Sequence, residues 1–136
     1  MSATGVIGVD LGSTSFLVAA AKRGNVEVLV NESNYRQTPT LVTYGAERAV
    51  GDAALNQVKR ELRNSVHMSP RLLGDLSPRL LDDELFFNYA PVRREADGTL
   101  RISVRAAGGT LELVPEQVVG VLFSKVKQLL TLNGTG

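Results

Sequence analysis

The chain has 136 residues, 43% of them hydrophobic and 21% charged, and its 15 basic and 14 acidic side chains give a formal net charge of +1. This composition is typical of one folded core of ordinary size, and the small net charge gives no reason to expect nucleic acid or a membrane as a partner. The chain has no cysteine, which excludes disulfides, thiol catalysis and thiolate metal sites. The first residues lack the basic flank of a targeting signal and the apolar run at 16–21 is too short to cross a bilayer, so we expect a cytoplasmic protein.

The first forty residues predict a small antiparallel sheet. Three segments have the composition of strands, at 6–10, 16–22 and 26–30. A tight turn at Arg23-Gly24-Asn25 joins the last two, so we expect an antiparallel meander. Thr38-Pro39 is expected to break this sheet, because proline cannot donate to a ladder and forces the residue before it to be extended. Asn34 is a residue type that tolerates positive φ.

The end of the first strand carries the strongest chemical signal. There a predicted apolar strand ends at Asp10, and a turn that contains Gly12, Ser13 and Thr14 follows it. Glycine lets the backbone approach an anion, the amides of the two hydroxyl residues can donate to phosphate oxygens, and the carboxylate can hold Mg²⁺ directly or through water. On this segment alone, an ordinary hairpin turn is an equally good interpretation.

The middle of the chain predicts one amphipathic helix and two short helical turns. Apolar residues recur at helical spacing between 52 and 62, and Asp52 is a candidate cap for that helix. Proline follows serine at Ser69-Pro70 and at Ser77-Pro78, which favours a short helical turn at each place.

The last third predicts two hairpins and a long helix. Apolar and polar residues alternate from 100 to 105, with turn signals at Asp97-Gly98 and Gly108-Gly109. A helix is predicted from Pro115 to about residue 130, with Asn133-Gly134 as its stop. Its apolar side chains cover much of its circumference.

Several short motifs follow one another along the chain: Asp10-Leu11-Gly12-Ser13-Thr14, Asn31, Arg36-Gln37-Thr38-Pro39, Gly51-Asp52-Ala53-Ala54-Leu55-Asn56-Gln57, Asn64-Ser65-Val66 and Arg71-Leu72-Leu73-Gly74. In this order and spacing they resemble the start of the ATPase domain of the 70-kDa heat-shock (DnaK-type) chaperone family. The resemblance implies an α/β fold, an incomplete lobe I of an actin-like (ribonuclease H-like) ATPase with antiparallel sheets and flanking helices. It also implies a first part of subdomain IA at 1–39, subdomain IB at 40–114 and a returning, truncated helix of subdomain IA at 115–136.

The resemblance also assigns a nucleotide site. It implies that Asp10 faces Mg²⁺ and that Gly12, Ser13 and Thr14 form a phosphate-binding loop, with ATP or ADP and Mg²⁺ as cofactors of the complete domain. Ser13 replaces the usual Thr, and the family's Tyr and Ser are replaced by Ser15 and Phe16, which we expect to belong to a strand.

The main departure from the family lies at Pro70. In the family a catalytic Lys precedes the Arg of the Arg-Leu-Ile-Gly segment, whereas Pro70 stands there and Arg71 follows it. A missing donor of this kind typically costs about 3 kcal/mol or more of barrier. Arg71 is the nearest alternative cation, so whether the protein is an enzyme stays open.

Two functions remain. The first is the amino-terminal part of an atypical chaperone's ATP-binding domain, whose parent binds ATP to control chaperone or co-chaperone activity with weak or absent hydrolysis. The alternative is a conventional ATP-hydrolysing heat-shock chaperone with a substituted catalytic residue, and an actin-like kinase fits the motifs less well. The resemblance implies co-chaperones or another chaperone of the family as partners, and unfolded clients bound through absent regions. The resemblance implies that the apolar helix at 118–130 is covered in the complete domain by elements that this chain lacks, so we expect the isolated chain to self-associate or to hold this helix loosely.

Other candidate sites are weaker. His67 is the only histidine, and no second ligand stands at helical spacing from it, so a surface or capping role is favoured over a metal site. A basic face on the predicted hairpin is better explained as a solvated sheet face, because aromatic residues do not interleave with the arginines: Arg93, Arg94, Arg101 and Arg105.

Overall fold

The structure is a computed structural model that describes residues 5–74 and 89–135. Its first sheet has the following strands: β1 (Ile7–Leu11), β2 (Ser15–Lys22), β3 (Asn25–Val28) and β4 (Thr38–Pro39). Strands β1 to β3 form the predicted antiparallel meander, with Val9 opposite Val18 and Ala19 opposite Val28. The predicted positive φ of Asn34 is also confirmed, at 62°.

The expectation that Thr38-Pro39 breaks the sheet is wrong. These two residues form β4, which pairs with the start of β2 and places Pro39 opposite Ser15. A two-residue strand makes few ladder hydrogen bonds, so the missing proline donor is tolerated there. The consequence for function is that β4 lies directly beside the residues that leave the turn between β1 and β2. Ser15 and Phe16 belong to a strand, as predicted.

The remaining strands form two further three-stranded sheets, also antiparallel. One has the order β6-β5-β7 and the other β10-β9-β8. Their strands are β5 (Leu41–Thr43), β6 (Ala49–Val50), β7 (Ser65–His67), β8 (Val92–Arg94), β9 (Leu100–Ala106) and β10 (Gly109–Leu113). Both predicted hairpins are present, because β8 pairs with β9 and β9 with β10. The turn glycines Gly98 and Gly109 have φ of 88° and 118°.

The helix predicted over 52–62 is shorter than expected. Helix α1 (Asp52–Gln57) ends early, and the chain passes into a 3₁₀ turn at Leu62–Asn64. Polar side chains compete for the backbone here, since Ser65 Oγ donates to the carbonyl of Glu61 at 2.6 Å and Asn64 Nδ2 donates to the Glu61 carboxylate at 2.8 Å. Asp52 is not a cap either. Gly51 occupies the cap position, without a side-chain hydrogen bond.

Helix α2 (Pro115–Leu132) lies where the sequence predicts a helix, and it packs on the core. Its buried side chains join those of the sheets in one cluster that includes Phe16, Val18, Val42, Ile102 and Leu122. The helix ends at Asn133, and Gly134 has φ of 69°. The expectation that this helix leaves much apolar surface uncovered is wrong. Its largest exposed hydrophobic side chains are Phe123 and Leu132, because the three sheets cover the remaining apolar stripe.

One of the two predicted proline turns is confirmed, as a 3₁₀ turn at Ser69–Leu72. The other, at Ser77-Pro78, lies outside the described residues. Among residues 5–74 and 89–135, no helix combines the length and apolar character needed to cross a membrane.

Candidate functional site: the turn between β1 and β2

The turn that joins β1 to β2 is tight and needs glycine. The amide of Gly12 donates to the carbonyl of Ser15 at 3.0 Å, which closes the turn. A β-carbon added to Gly12 would lie 2.5 Å from that same carbonyl oxygen. Real side chains do not approach a backbone oxygen so closely, so the turn has this shape only with glycine at position 12.

A residue of the next segment holds both halves of the turn. The backbone amide of Thr40 donates to the carbonyl of Thr14 at 2.9 Å, and its hydroxyl donates to the carbonyl of Gly12, also at 2.9 Å. Thr40 itself is 2% exposed, and its hydroxyl bond to Gly12 is partly buried. The carbonyls of Gly12 and Thr14 are thereby engaged in hydrogen bonds to Thr40.

The amides of the turn are left available. Within the described part of the chain, the backbone amides of Ser13 and Thr14 donate no hydrogen bond, and Thr14 is exposed. Unpaired amides at a glycine-containing turn can bind an anion. The geometry therefore provides the donors that the sequence predicted for phosphate.

Asp10, the predicted metal ligand, lies just before this turn. It is in β1, opposite Leu17, and its side chain is exposed. The residues that the structure describes contain no group of three histidine, aspartate or glutamate side chains placed to share a metal ion. Mg²⁺ usually keeps several waters and binds through one or two carboxylates plus substrate phosphates, so Asp10 alone can take part only in such a site.

A cavity of about 400 Å³ opens beside the turn. Its lining combines the last residues of the turn with the segment before β4 and the start of α1: Thr14, Ser15, Tyr35, Arg36, Gln37, Pro39 and Asp52. Arg36 is exposed and supplies a cation to this wall. Cavities of this size are in the range of ligand sites.

Asn31 organises the wall of the cavity and was not predicted as a site residue. Its side chain is 2% exposed. Its Oδ1 accepts from the amides of Ser33 and Tyr35 at 2.9 and 3.1 Å, and its Nδ2 donates to Asp52 Oδ2 at 2.7 Å. Asn31 and Asp52 were each recognised as part of a sequence motif, but no pattern in the sequence near either residue indicates that their side chains form a hydrogen bond.

Helix α2 supports the same segment. Lys125 Nζ lies 2.5 Å from Glu32 Oε1, in an ion pair whose lysine side chain is 11% exposed. Partial burial raises the pKa of Glu32, but the hydrogen bond and charge of Lys125, with a backbone hydrogen bond, bring this pKa below its ordinary value.

Pro70 and Arg71 lie in the 3₁₀ turn that follows β7. Met68 precedes this turn with φ of 54°, Pro70 is in its first residues, and Arg71 is exposed in its last part. Proline has no charge or donor to offer, so position 70 supplies no cation here.

The prediction of a surface or capping role for His67 is wrong, because His67 is a half-buried residue of β7. His67 stacks on Tyr89 with ring centroids 4.4 Å apart, and burial lowers the pKa of its imidazole. Arg93 is paired with Glu95 at 2.9 Å and with Glu112 at 2.8 Å, so it belongs to a mixed-charge, solvated sheet face rather than a basic patch.

Comparison with known proteins agrees with the fold. A family model described as Hsp70 protein matches residues 6–132. The chain is 34% identical over 131 residues to a ribosome-associated molecular chaperone of Eremothecium gossypii, covering 93% of this chain and 21% of that protein. It is 33% identical over 130 residues to heat shock protein 88 of Dictyostelium discoideum, covering 90% and 16%. Heat shock 70 kDa protein 16 of Arabidopsis thaliana is 28% identical over 127 residues, covering 91% and 16%.

Antiparallel sheets with flanking helices, matched over almost the whole chain, define part of an ATPase domain of the actin-like class. The chain belongs to the Hsp70 family and corresponds to an amino-terminal part of its ATPase domain. It spans about a fifth or less of the length of these relatives.

Proposed function

We propose that the turn at Gly12, Ser13 and Thr14 binds the phosphates of ATP or ADP, with Asp10 holding Mg²⁺ through water. The observation that carries this proposal is the pair of unbonded amides at Ser13 and Thr14 in a turn whose carbonyls are held by Thr40. Phosphate oxygens accept hydrogen bonds from such amides. The nearby Asp10 carboxylate would repel phosphate, so a Mg²⁺ ion that bridges the two is favoured.

In the larger protein, nucleotide binding at this turn controls chaperone or co-chaperone activity in protein folding. Relatives described as heat shock and ribosome-associated chaperones support this assignment. Co-chaperones, or a second chaperone of the family, and unfolded clients are the partners that follow from it, in the cytoplasm. Residues 1–39 and 115–136 then belong to one subdomain and residues 40–114 to another.

The 136-residue chain supplies only one wall of the site, so it binds nucleotide weakly and does not turn it over. An enclosed, mostly apolar pocket provides most ligand affinity, and the cavity beside Thr14 is open. The test is a titration of the ¹⁵N-labelled chain with Mg-tripolyphosphate and Mg-ATP, followed by NMR. Amide shifts confined to residues 10–15, with millimolar affinity, are expected. If no amide shifts, or only amides outside residues 10–15 shift, the phosphate assignment is wrong. Submicromolar binding of ATP would contradict the claim that this chain supplies only one wall of the site.

Weak or absent hydrolysis by the larger protein rests on Pro70. Pro70→Lys restores a cation near the transferred phosphoryl group and should raise single-turnover hydrolysis on the order of a hundredfold, while ATP affinity changes less. Arg71→Ala is the companion variant. If wild-type turnover is already fast and falls in Arg71→Ala, the exposed Arg71 performs the cationic role and the conventional ATP-hydrolysing alternative is correct.

A further inference from the structure

The Asn31 side chain makes five hydrogen bonds, four of them to residues 33–38 and one to Asp52 at the start of α1. Besides the bonds to Ser33, Tyr35 and Asp52, its Nδ2 donates to the carbonyl of Gln37 at 3.2 Å and to Thr38 Oγ1 at 3.3 Å. Its backbone amide donates to the carbonyl of Tyr35 at 2.8 Å. Segment 31–38 is therefore wrapped around one buried amide side chain.

Two contacts fix the far end of this segment. Thr38 pairs with Phe16 in the ladder between β4 and β2, and its methyl group packs on Gly51. A β-carbon at Gly51 would lie 2.5 Å from Thr38 Cγ2. Thr38 is thus held between β2 and the start of α1, where Asp52 receives the Asn31 hydrogen bond.

The next two residues carry this arrangement to the turn. Pro39 lies opposite Ser15, and Thr40 donates to the carbonyls of Gly12 and Thr14. Hydrogen bonds and the short chain segment Thr38–Thr40 therefore connect Asp52, through Asn31, to both halves of the turn. The members nearest the centre are all buried: Asn31, Thr38 and Thr40 are each 2% exposed.

We infer that Asn31, oriented by Asp52, is a positioning residue that acts through Thr38 and Thr40 to hold the Ser13 and Thr14 amides in the phosphate-binding geometry. This inference rests on the proposed function and adds the element that sets the shape of the turn. It also makes Asp52, at the start of α1, part of the structure that holds the turn between β1 and β2. Buried and fully satisfied polar networks of this kind rigidify a structure, and they fail when one donor is lost.

The variants separate shape from chemistry. Asn31→Asp keeps the side-chain shape, removes both Nδ2 hydrogens and brings two carboxylates together, whereas Asp52→Asn keeps an acceptor for Asn31 without the charge. The double variant N31D/D52N restores a donor between the two positions. Thr40→Val removes only the hydroxyl bond to Gly12, and Thr40→Ser is its matched control, since it keeps that hydroxyl.

Affinity is the first readout. In the ¹⁵N-labelled 136-residue chain titrated with Mg-tripolyphosphate, Thr40→Val should raise the dissociation constant about fivefold, the worth of one hydrogen bond. Asn31→Asp should raise it further, Thr40→Ser and Asp52→Asn should stay near wild type, and the double variant should recover part of the loss. Because a general loss of stability would follow the same order, hydrogen exchange is measured on the same variants.

Hydrogen exchange without ligand is the second readout, and it separates the two proposals. Faster exchange of the Gly12 and Thr40 amides in Asn31→Asp, with β9 amides unchanged, is the expected result. If wild type shows no tripolyphosphate binding while this exchange pattern appears, the phosphate assignment fails and the positioning role of Asn31 stands. Unchanged exchange at Gly12 and Thr40 in folded Asn31→Asp and Thr40→Val chains would overturn the inference.

Discussion

Strand β2 has a turn at each end, and the two turns are held differently. At its far end, Arg23 and Gly24 have φ of 48° and 81°, the left-handed pair that a tight hairpin requires, and a β-carbon on Gly24 would meet nothing within 4 Å. At its near end, Gly12 is confined by the carbonyl of Ser15, and Thr40 binds the carbonyls on both sides.

The difference lies in what determines each shape. The Arg23-Gly24 turn follows from local backbone preference and reverses the chain between two exposed strand ends. The Gly12–Ser15 turn is fixed by a residue 28 positions away. A connection that only reverses the chain has no need of buried tertiary hydrogen bonds, so their presence at Gly12 supports a binding role for that turn.

Among the variants at the two turns, Gly12→Ala should have the largest effect on the free energy of unfolding and on tripolyphosphate affinity. The new methyl group would meet the Ser15 carbonyl at 2.5 Å, so the turn must open. We expect a loss of about 2–3 kcal/mol in the free energy of unfolding, similar to overpacking a buried site. Tripolyphosphate binding should weaken by about tenfold or more, because each hydrogen bond to a charged group is worth about 1.5–3 kcal/mol. Urea unfolding and the NMR titration measure the two effects, and retained binding would contradict the geometry.

Gly24→Ala is the matched substitution at the other turn. Here space is available, but alanine must adopt a φ near 81°. This strain costs about 1–2 kcal/mol of unfolding free energy. Because no backbone hydrogen bond in the described part of the chain links this turn to Gly12, Ser13 or Thr14, the affinity for tripolyphosphate should not change. If Gly24→Ala lost affinity for tripolyphosphate as well as stability, the measured affinity would depend on the overall stability of the chain and not on the shape of the turn at Gly12.

The same contrast explains what the sequence could and could not predict. The meander, the turn at Gly24, the hairpins at Gly98 and Gly109 and helix α2 follow from local patterns, and all were predicted. Gly12 was also recognised, from the motif Asp10-Leu11-Gly12-Ser13-Thr14 in which it stands. The pairing of Pro39 with Ser15 and the early end of α1 were not predicted.

The early end of α1 goes with local hydrogen bonds of Asn64 and Ser65 to Glu61. The other missed features depend on residues distant in sequence. Asn31 and Asp52 are 21 positions apart, and Thr40 is 28 from Gly12. Hydrophobic periodicity says nothing about such polar pairs. From the sequence alone, Asn31 is most simply interpreted as a turn residue. The structure shows that its side chain is buried and forms hydrogen bonds with five groups.

Lys22→Met tests how independent the far end of β2 is. Lys22 Nζ donates to the carbonyl of Asn133 at 2.6 Å, at the end of α2. A cation at a helix carboxyl terminus stabilises it by about 0.3–1 kcal/mol, so the variant should lose about that much. Faster hydrogen exchange of the Asn133 and Thr135 amides should accompany the loss, while the Gly12 amide stays protected. Lys59→Met, which removes an exposed lysine, is the control.

The smallest expected effect concerns the ion pair between Glu32 and Lys125, which supports the segment next to the turn at Gly12. The pKa of Glu32 in the folded chain lies below its ordinary value of 4.5. The ionised carboxylate therefore stabilises the fold fully above the unfolded-state pKa, and this contribution is lost as the pH falls through the lowered folded-state pKa. Because Glu32 is 43% exposed, the contribution should be only about 0.2–1 kcal/mol. Lys125→Met should lower the free energy of unfolding at pH 7 by about this amount and flatten its dependence on pH below 4.5. Urea unfolding of both chains between neutral and acidic pH measures the difference. An equal loss at every pH would show that Lys125 stabilises segment 31–38 by packing and not through its charge.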